Sequence, residues 1–120
     1  MTATPAEIEK VVRAYLDGMI YLDPDQLRRA FHPKAFVIGH WEGGLEWSSL
    51  EEFIAGCARM GAEPKGQPYY SEILSCDVTG DIATVKLTND YVGVRYTDYL
   101  SLLNEAGRWS IVNKVFSAHV

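Results

Sequence analysis

The chain has 120 residues, which suits a single domain spanning 1–120 and is too short for two. Its 11 Lys and Arg against 16 Asp and Glu give a net charge of -5, and no basic run occurs, so nucleic-acid binding is not expected. The sequence has no apolar run of the roughly 20 residues that a membrane span needs. The opening stretch MTATPAEIEK lacks the pattern of a signal peptide. We therefore expect a cytoplasmic protein that does not bind membranes.

The first part of the chain is predicted to form two helices. Thr4 is a candidate N-cap, Pro5 fits the first helical position, and Glu7 completes a capping box. Apolar residues then recur at helical spacing on one broad face, at Ile8, Val11, Val12, Tyr15, Leu16, Met19 and Ile20. Asp23-Pro24 repeats the cap-and-proline signal for a short second helix, which is expected to end at His32-Pro33.

The period changes from helical to extended at Ala35. The stretch AFVIGHWE, the turn Gly43-Gly44 and the following LEW predict a short hairpin. Ser49 is then expected to cap a third helix, with Glu52 three residues later. The segment 61–68 is rich in Gly and Pro and is predicted to be a loop.

The second half of the chain is predicted to form long antiparallel strands. Their expected ranges are 69–78, 82–92, 96–103 and 108–118. Helical segments followed by such strands predict an α+β layer fold.

Side-chain alternation predicts that two of these strands turn polar on their inward face. The inward set of the second strand is Ala83, Val85, Leu87, Asn89 and Tyr91. On the last strand, an inward set of Trp109, Ile111, Asn113 and Val115 alternates with an outward set of Ser110, Val112, Lys114 and Phe116. An unpaired inward amide would cost a few kcal/mol. Asn89 and Asn113 therefore either line a polar cavity or are satisfied core amides.

Four segments carry a family resemblance: RRAFHPKAFVIG, LEWSSLEEFI, PYYSEILSCDVTGDIATVKLTNDYVGVRYTDYLSLL and GRWSIVNKVFSAH. Nearly the whole chain resembles the nuclear transport factor 2-like (NTF2-like) superfamily, which includes ketosteroid isomerase and SnoaL-type cyclase relatives. Within this superfamily the chain more closely resembles the small bacterial group labelled "putative lumazine-binding". The resemblance implies a cone, in which a curved antiparallel sheet wraps around the N-terminal helices and leaves a pocket at its open end. It also implies a homodimer formed through the convex face of the sheet.

The candidate ligand contacts combine this resemblance with the residue pattern. They are Tyr15, Met19, His40, Trp41, Trp47, Asn89, Tyr91 and Asn113. The resemblance places the first helix against the sheet and places His40 at a strand end near the pocket mouth. Trp41 and Trp47 flank a hairpin turn, where they would stack on a planar ligand or simply cover the mouth. Packing is the alternative role for Tyr15 and Met19.

The candidate catalytic residues are His40, Asp98 and Asp90. Each aspartate is either a surface or interface charge or an acid–base group. Ketosteroid isomerase-like and SnoaL-like relatives use sets of such groups, and neither set is complete here residue by residue. Whether the protein is an enzyme is therefore left open.

Three functions remain compatible with the sequence. The first is binding of a small, planar molecule in the cone, and the second is an isomerase, cyclase or dehydratase that uses the same cavity. The third is a protein-interaction module. Cys57 and Cys76 are expected to be reduced thiols, and neither a metal site nor a cofactor is predicted, because no ligand-spacing motif occurs.

Overall fold

The computed structural model describes residues 4–119, which form three helices and six strands. The elements are α1 Ala6–Ile20, α2 Pro24–Ala30, β1 Phe31–Trp41, β2 Gly44–Ser49, α3 Leu50–Met60, β3 Ser71–Thr79, β4 Ile82–Tyr91, β5 Val94–Glu105 and β6 Arg108–His119. The predicted α+β fold is confirmed. None of the helices within residues 4–119 has both the length and the apolar character needed to cross a bilayer.

The strands form one 6-stranded sheet in the order β2-β1-β6-β5-β4-β3. Every neighbouring pair is antiparallel except β1 and β6, which run parallel. The sheet is therefore mixed, and the expectation of a wholly antiparallel sheet is corrected at this pair. The pair is parallel because β6 returns from the meander of β3, β4 and β5 to lie beside β1 on the side opposite to β2.

Two of the predicted helix starts form as expected. The side chain of Asp23 accepts a hydrogen bond from the Gln26 backbone N–H at the start of α2. At the start of α3, Ser49 and Glu52 each accept a hydrogen bond from the other's backbone N–H. This reciprocal pair satisfies two of the N–H groups that a helix start leaves unpaired.

The predicted start of α1 is wrong in detail. The helix begins at Ala6, so Pro5 rather than Thr4 occupies the N-cap position, and no side chain caps the helix. Pro5 has an extended ψ of 141° and carries no side-chain acceptor, so the capping box expected with Glu7 does not form.

The core lies between the apolar face of α1 and the helix-facing side of the sheet. The buried α1 side chains are Ile8, Val12, Tyr15, Leu16, Met19 and Ile20, none more than 2% exposed. They share one hydrophobic cluster with Val85, Leu87 and Ile111, as the two periodicities predicted, whereas Trp109 is only partly buried against it. The inward face predicted for β4 is thus confirmed.

The predicted alternation on β6 fails at a β-bulge. Leu102 pairs with Ile111, but the adjacent Ser101 pairs with Asn113, so Val112 is an extra residue on β6. One extra residue reverses which side chains face inward for the rest of the strand.

The bulge exchanges the two predicted faces in the last half of β6. Lys114 and Phe116, expected to face outward, are only 5% and 9% exposed. Asn113 and Val115, expected to face inward, lie on the outer side instead, and Val115 is 42% exposed. The prediction that Asn113 lines a cavity is therefore wrong.

Gly39 leaves room for Phe116 where β6 passes β1. A Cβ atom at position 39 would lie 2.6 Å from the Phe116 carbonyl oxygen and 2.7 Å from its ring. Because a real side chain cannot fit at such distances, glycine at this position allows the Phe116 ring to lie over β1.

Candidate functional site

A cavity of about 280 Å³ opens between α1, α3 and the helix-facing side of the sheet. Its apolar lining is mostly aromatic and thioether side chains: Tyr15, Met19, Trp41, Phe53, Met60, Tyr96 and Phe116. Its polar and charged lining includes Glu46, Arg59, Asn89, Tyr91, Asp98 and Lys114. Mostly apolar walls with a few placed polar groups are typical of small-molecule sites.

The Asp98 carboxyl is a fully buried polar group of this cavity. Asp98 is 0% exposed, and its Oδ2 accepts a hydrogen bond of 2.6 Å from the Tyr15 hydroxyl. The Asn89 side-chain amide donates to the same oxygen at 3.3 Å. These bonds join α1, β4 and β5, so the carboxyl has a fixed position.

Tyr15 is held in its protonated form. Burial, followed by the charge of Asp98 and the hydrogen bond to it, raises the pKa of the Tyr15 phenol well above its ordinary value. The phenol therefore stays a hydrogen-bond donor at neutral pH.

Three buried polar atoms of the cavity residues have no hydrogen-bond partner within residues 4–119. They are Asn89 Oδ1, Tyr91 OH and Asp98 Oδ1. Burial and the neighbouring Cys57 thiol raise the pKa of Tyr91 well above its usual range, but the thiol does not meet hydrogen-bond geometry. An unpaired buried polar atom costs about 1–3 kcal/mol, so three of them around one cavity require an explanation.

The amine of Lys114 lies among aromatic side chains that line the cavity. Its Nζ lies 4.7 Å from the ring centroids of Tyr15 and Phe53 and 5.5 Å from that of Phe116. Its hydrogen-bond partner is the Met19 sulfur at 3.8 Å. No carboxylate of residues 4–119 lies within the 4.0 Å of an ion pair with this amine.

The structure brings together several of the sequence-predicted site residues. Those lining the cavity are Tyr15, Met19, Trp41, Asn89, Tyr91 and Asp98. Their role as ligand contacts stays a prediction.

Three other predicted placements are corrected. His40 is exposed and lies beside Leu45 and Ser117, because the neighbouring Gly39 takes the inward position on β1. Trp47 is 62% exposed and is not part of the cavity lining. Asn113 faces outward beyond the bulge described above.

Asp90 also lies outside the cavity. Its carboxylate accepts two hydrogen bonds from Arg95, at 2.6 and 3.1 Å, and the guanidinium lowers the pKa of Asp90. Of the two roles considered for Asp90, a surface charge or an acid–base group, this arrangement corresponds to the surface charge.

The sequence reasoning missed Lys114, Phe53 and Cys57 as cavity residues. Lys114 was assigned to the outer face because nothing in the sequence indicates the bulge at Val112. Phe53 and Cys57 lie on the buried face of α3, which serves both the core and the cavity. Both cysteines are free, as predicted. Within residues 4–119, no group of three or more His, Cys, Asp or Glu side chains is arranged to hold a metal ion.

The model of the family described as "Putative lumazine-binding" matches residues 3–117. A solved NTF2-like protein of unknown function from Silicibacter pomeroyi is 37% identical, with a TM-score of 0.89 over 95% of this chain and 94% of that one. A ketosteroid isomerase-like protein from Erwinia carotovora atroseptica is 17% identical, with a TM-score of 0.71 over 96% of this chain and 95% of that one. The curated protein named "Aldolase FrzH" from a Cladobotryum species is 21% identical over 97% of this chain and 94% of its own length.

Proposed function

The chain belongs to the NTF2-like family described as "Putative lumazine-binding", and we propose that it binds a small, planar, hydrogen-bonding molecule in the cavity. The observation that carries this proposal is the set of unpartnered atoms Asn89 Oδ1, Tyr91 OH and Asp98 Oδ1 around an otherwise largely aromatic cavity. A ligand that pairs with these atoms recovers the free energy that their burial costs.

The chemistry of the wall favours a ligand edge with adjacent donors and acceptors. The oxygens of Asn89 and Asp98 accept hydrogen bonds, whereas the Lys114 amine and the Tyr91 hydroxyl can donate them. The imide edge of a pteridinedione such as lumazine, with an N–H between two carbonyls, offers a donor to the oxygens and acceptors to the amine and the hydroxyl. At about 280 Å³ the cavity suits a bicyclic ring better than a steroid-sized molecule.

The direct test of this proposal uses Tyr91, whose hydroxyl has no partner. Tyr91→Phe is expected to weaken lumazine binding about 2- to 10-fold, the value of one neutral hydrogen bond. The free variant should be at least as stable as the parent, because an unpaired hydroxyl is removed. Isothermal titration measures the affinity and urea unfolding the stability.

The matched control is Tyr99→Phe, which changes the same atom on an exposed side chain outside the cavity lining. Equal affinities of the two variants would remove Tyr91 from the site. A thermal-shift panel that adds flavin-like, steroid-like and polyketide-like molecules tests the ligand class.

A second candidate function is proton transfer at a carbon next to a carbonyl group. It is favoured by the buried Asp98 carboxyl, whose Oδ1 is unpartnered while Tyr15 and Asn89 fix its Oδ2. A 21% identical relative carries the name aldolase, and aldol chemistry requires such a proton transfer. The assay is NMR detection of α-proton exchange in D₂O with small ketones.

We also propose a homodimer that forms through the outer side of the sheet. Phe116, which the sequence placed in the outward set of the last strand, lines the cavity and is not part of this surface. The outer row is instead formed by register neighbours on β2, β1, β6 and β5, namely Trp47, Ile38, Val115 and Tyr99. Trp47, Val115 and Tyr99 are 62%, 42% and 53% exposed, and a continuous apolar row of this kind usually marks an interface.

Val115→Glu is expected to convert the dimer to a monomer. A symmetric interface would bring this carboxylate close to apolar side chains or to its own copy, where it is desolvated or repelled. Sedimentation equilibrium at micromolar concentration measures the mass. The control is Leu74→Glu, an exposed leucine on the edge strand β3, which should leave the dimer intact. A monomeric parent protein would rule the interface out.

A further inference from the structure

We propose that Lys114 is a nucleophile that forms an imine with a small aldehyde or ketone in the cavity. This inference rests on the proposed function, because it requires the cavity to admit a small molecule. It identifies the substrate class as carbonyl compounds that carry a hydrogen on the carbon next to the carbonyl.

The surroundings of the Lys114 amine are those of a reactive lysine rather than of a surface charge. The residue is 5% exposed, lines the cavity, and has no carboxylate of residues 4–119 within ion-pair distance. Its thioether neighbour, Met19, is a weak acceptor at 3.8 Å. Proteins commonly activate a lysine as a nucleophile by placing it in such a desolvated site.

The aromatic rings around Nζ suit the intermediate that the reaction would form. An iminium ion is a planar cation, and the rings of Tyr15, Phe53 and Phe116 lie 4.7 to 5.5 Å from the nitrogen. Cations at this distance from ring faces are stabilised electrostatically. The rings therefore position the amine and also favour the cation made from it.

Asp98 is placed to exchange protons with a substrate on Lys114. Lys114 pairs with Leu100 on β5, and Asp98 lies two residues before Leu100 on the same inward face. Such diagonal neighbours are about 7–8 Å apart, which leaves space between them for the substrate carbon next to the imine. Tyr15 connects the two groups, because its ring lies beside Nζ and its hydroxyl donates to Asp98.

The reaction balances with these groups and water alone. The Lys114 ammonium first passes a proton through water to the Asp98 carboxylate. The neutral amine then adds to the carbonyl carbon, and a proton moves from nitrogen to oxygen to give a carbinolamine. The Asp98 carboxyl that received the amine's proton donates to this hydroxyl group, water leaves, and the iminium forms with Asp98 again as carboxylate. The carboxylate then takes a proton from the neighbouring carbon, giving a neutral enamine and restoring the carboxylic acid. Reprotonation and hydrolysis return the amine and the carbonyl compound.

The experiment uses acetylacetone, a small diketone that converts an amine into a stable enaminone. Peptide mass spectrometry of the treated parent protein should find Lys114 modified at least about tenfold faster than Lys86, as expected for an activated lysine. Lys86 is the matched control, because it lies on the neighbouring sheet surface with its Nζ 5.6 Å from the exposed Tyr99 ring. Bound lumazine should protect Lys114 and leave Lys86 unaffected.

The outcomes separate this inference from the proposed function. Lumazine binding with Lys114 modified no faster than Lys86 would overturn the inference and leave the binding site standing. Rapid modification of Lys114 without lumazine binding would support the inference and reject lumazine as the ligand. Asp98→Asn should slow formation of the enaminone at Lys114, whereas Asp90→Asn, at an exposed ion pair, should not.

Discussion

Asp98→Asn is expected to weaken lumazine binding about 10- to 100-fold, the value of a hydrogen bond to a charged acceptor. The carboxyl offers one oxygen to Tyr15 and Asn89 and keeps the other free for a ligand. An amide at this position keeps the bond from Tyr15 but turns an N–H₂ group toward the ligand's own N–H. If the protein transfers protons, α-proton exchange should also fall by about 10²- to 10⁴-fold.

The control for this variant is Asp90→Asn, which makes the same change outside the cavity. Asp90 pairs with Arg95 at the surface, so its variant should bind lumazine within about twofold of the parent, because surface ion pairs contribute little. Isothermal titration supplies the affinities and NMR in D₂O the exchange rates. Similar affinities for the two variants would show that Asp98 has no part in binding.

Leu16→Ala is expected to lower the free energy of unfolding by about 2–5 kcal/mol, as for other fully buried leucines. Leu16 is 1% exposed, lies within the core cluster, and is the immediate neighbour of Tyr15. The comparison is Leu45→Ala on β2, where the leucine is 61% exposed and the loss should stay below about 1 kcal/mol. Urea unfolding measures both, and equal losses would show that the buried face of α1 is misassigned.

The elements that follow regular periodicity could be predicted from the sequence. The inward face of β4 was correct as far as Asn89 and Tyr91 because its pairing with β5 runs without a register shift. The caps at Asp23 and Ser49 were correct because each helix begins directly after its capping residue, whereas α1 begins one residue later than the Thr4 signal requires.

The parts of the site that the sequence did not predict depend on structural features that leave no pattern among neighbouring residues. The segment IVNKVF alternates plausibly in either register, and one extra residue at Val112 decides that Lys114 rather than Asn113 faces inward. The bond between Tyr15 and Asp98 joins residues 83 positions apart, so only the tertiary structure reveals it. His40 was placed by resemblance, and a shift of one position from Gly39 puts it on the other face.

A crystal structure of the protein soaked with lumazine tests the central claim most directly. We expect the ring system in the cavity, with one of its N–H groups within about 3.2 Å of Asp98 Oδ1 or Asn89 Oδ1. We also expect the ring to contact the aromatic wall that includes Tyr15 and Phe116. Density for lumazine at the protein surface alone, with the cavity unchanged, would contradict the claim that this cavity is the binding site.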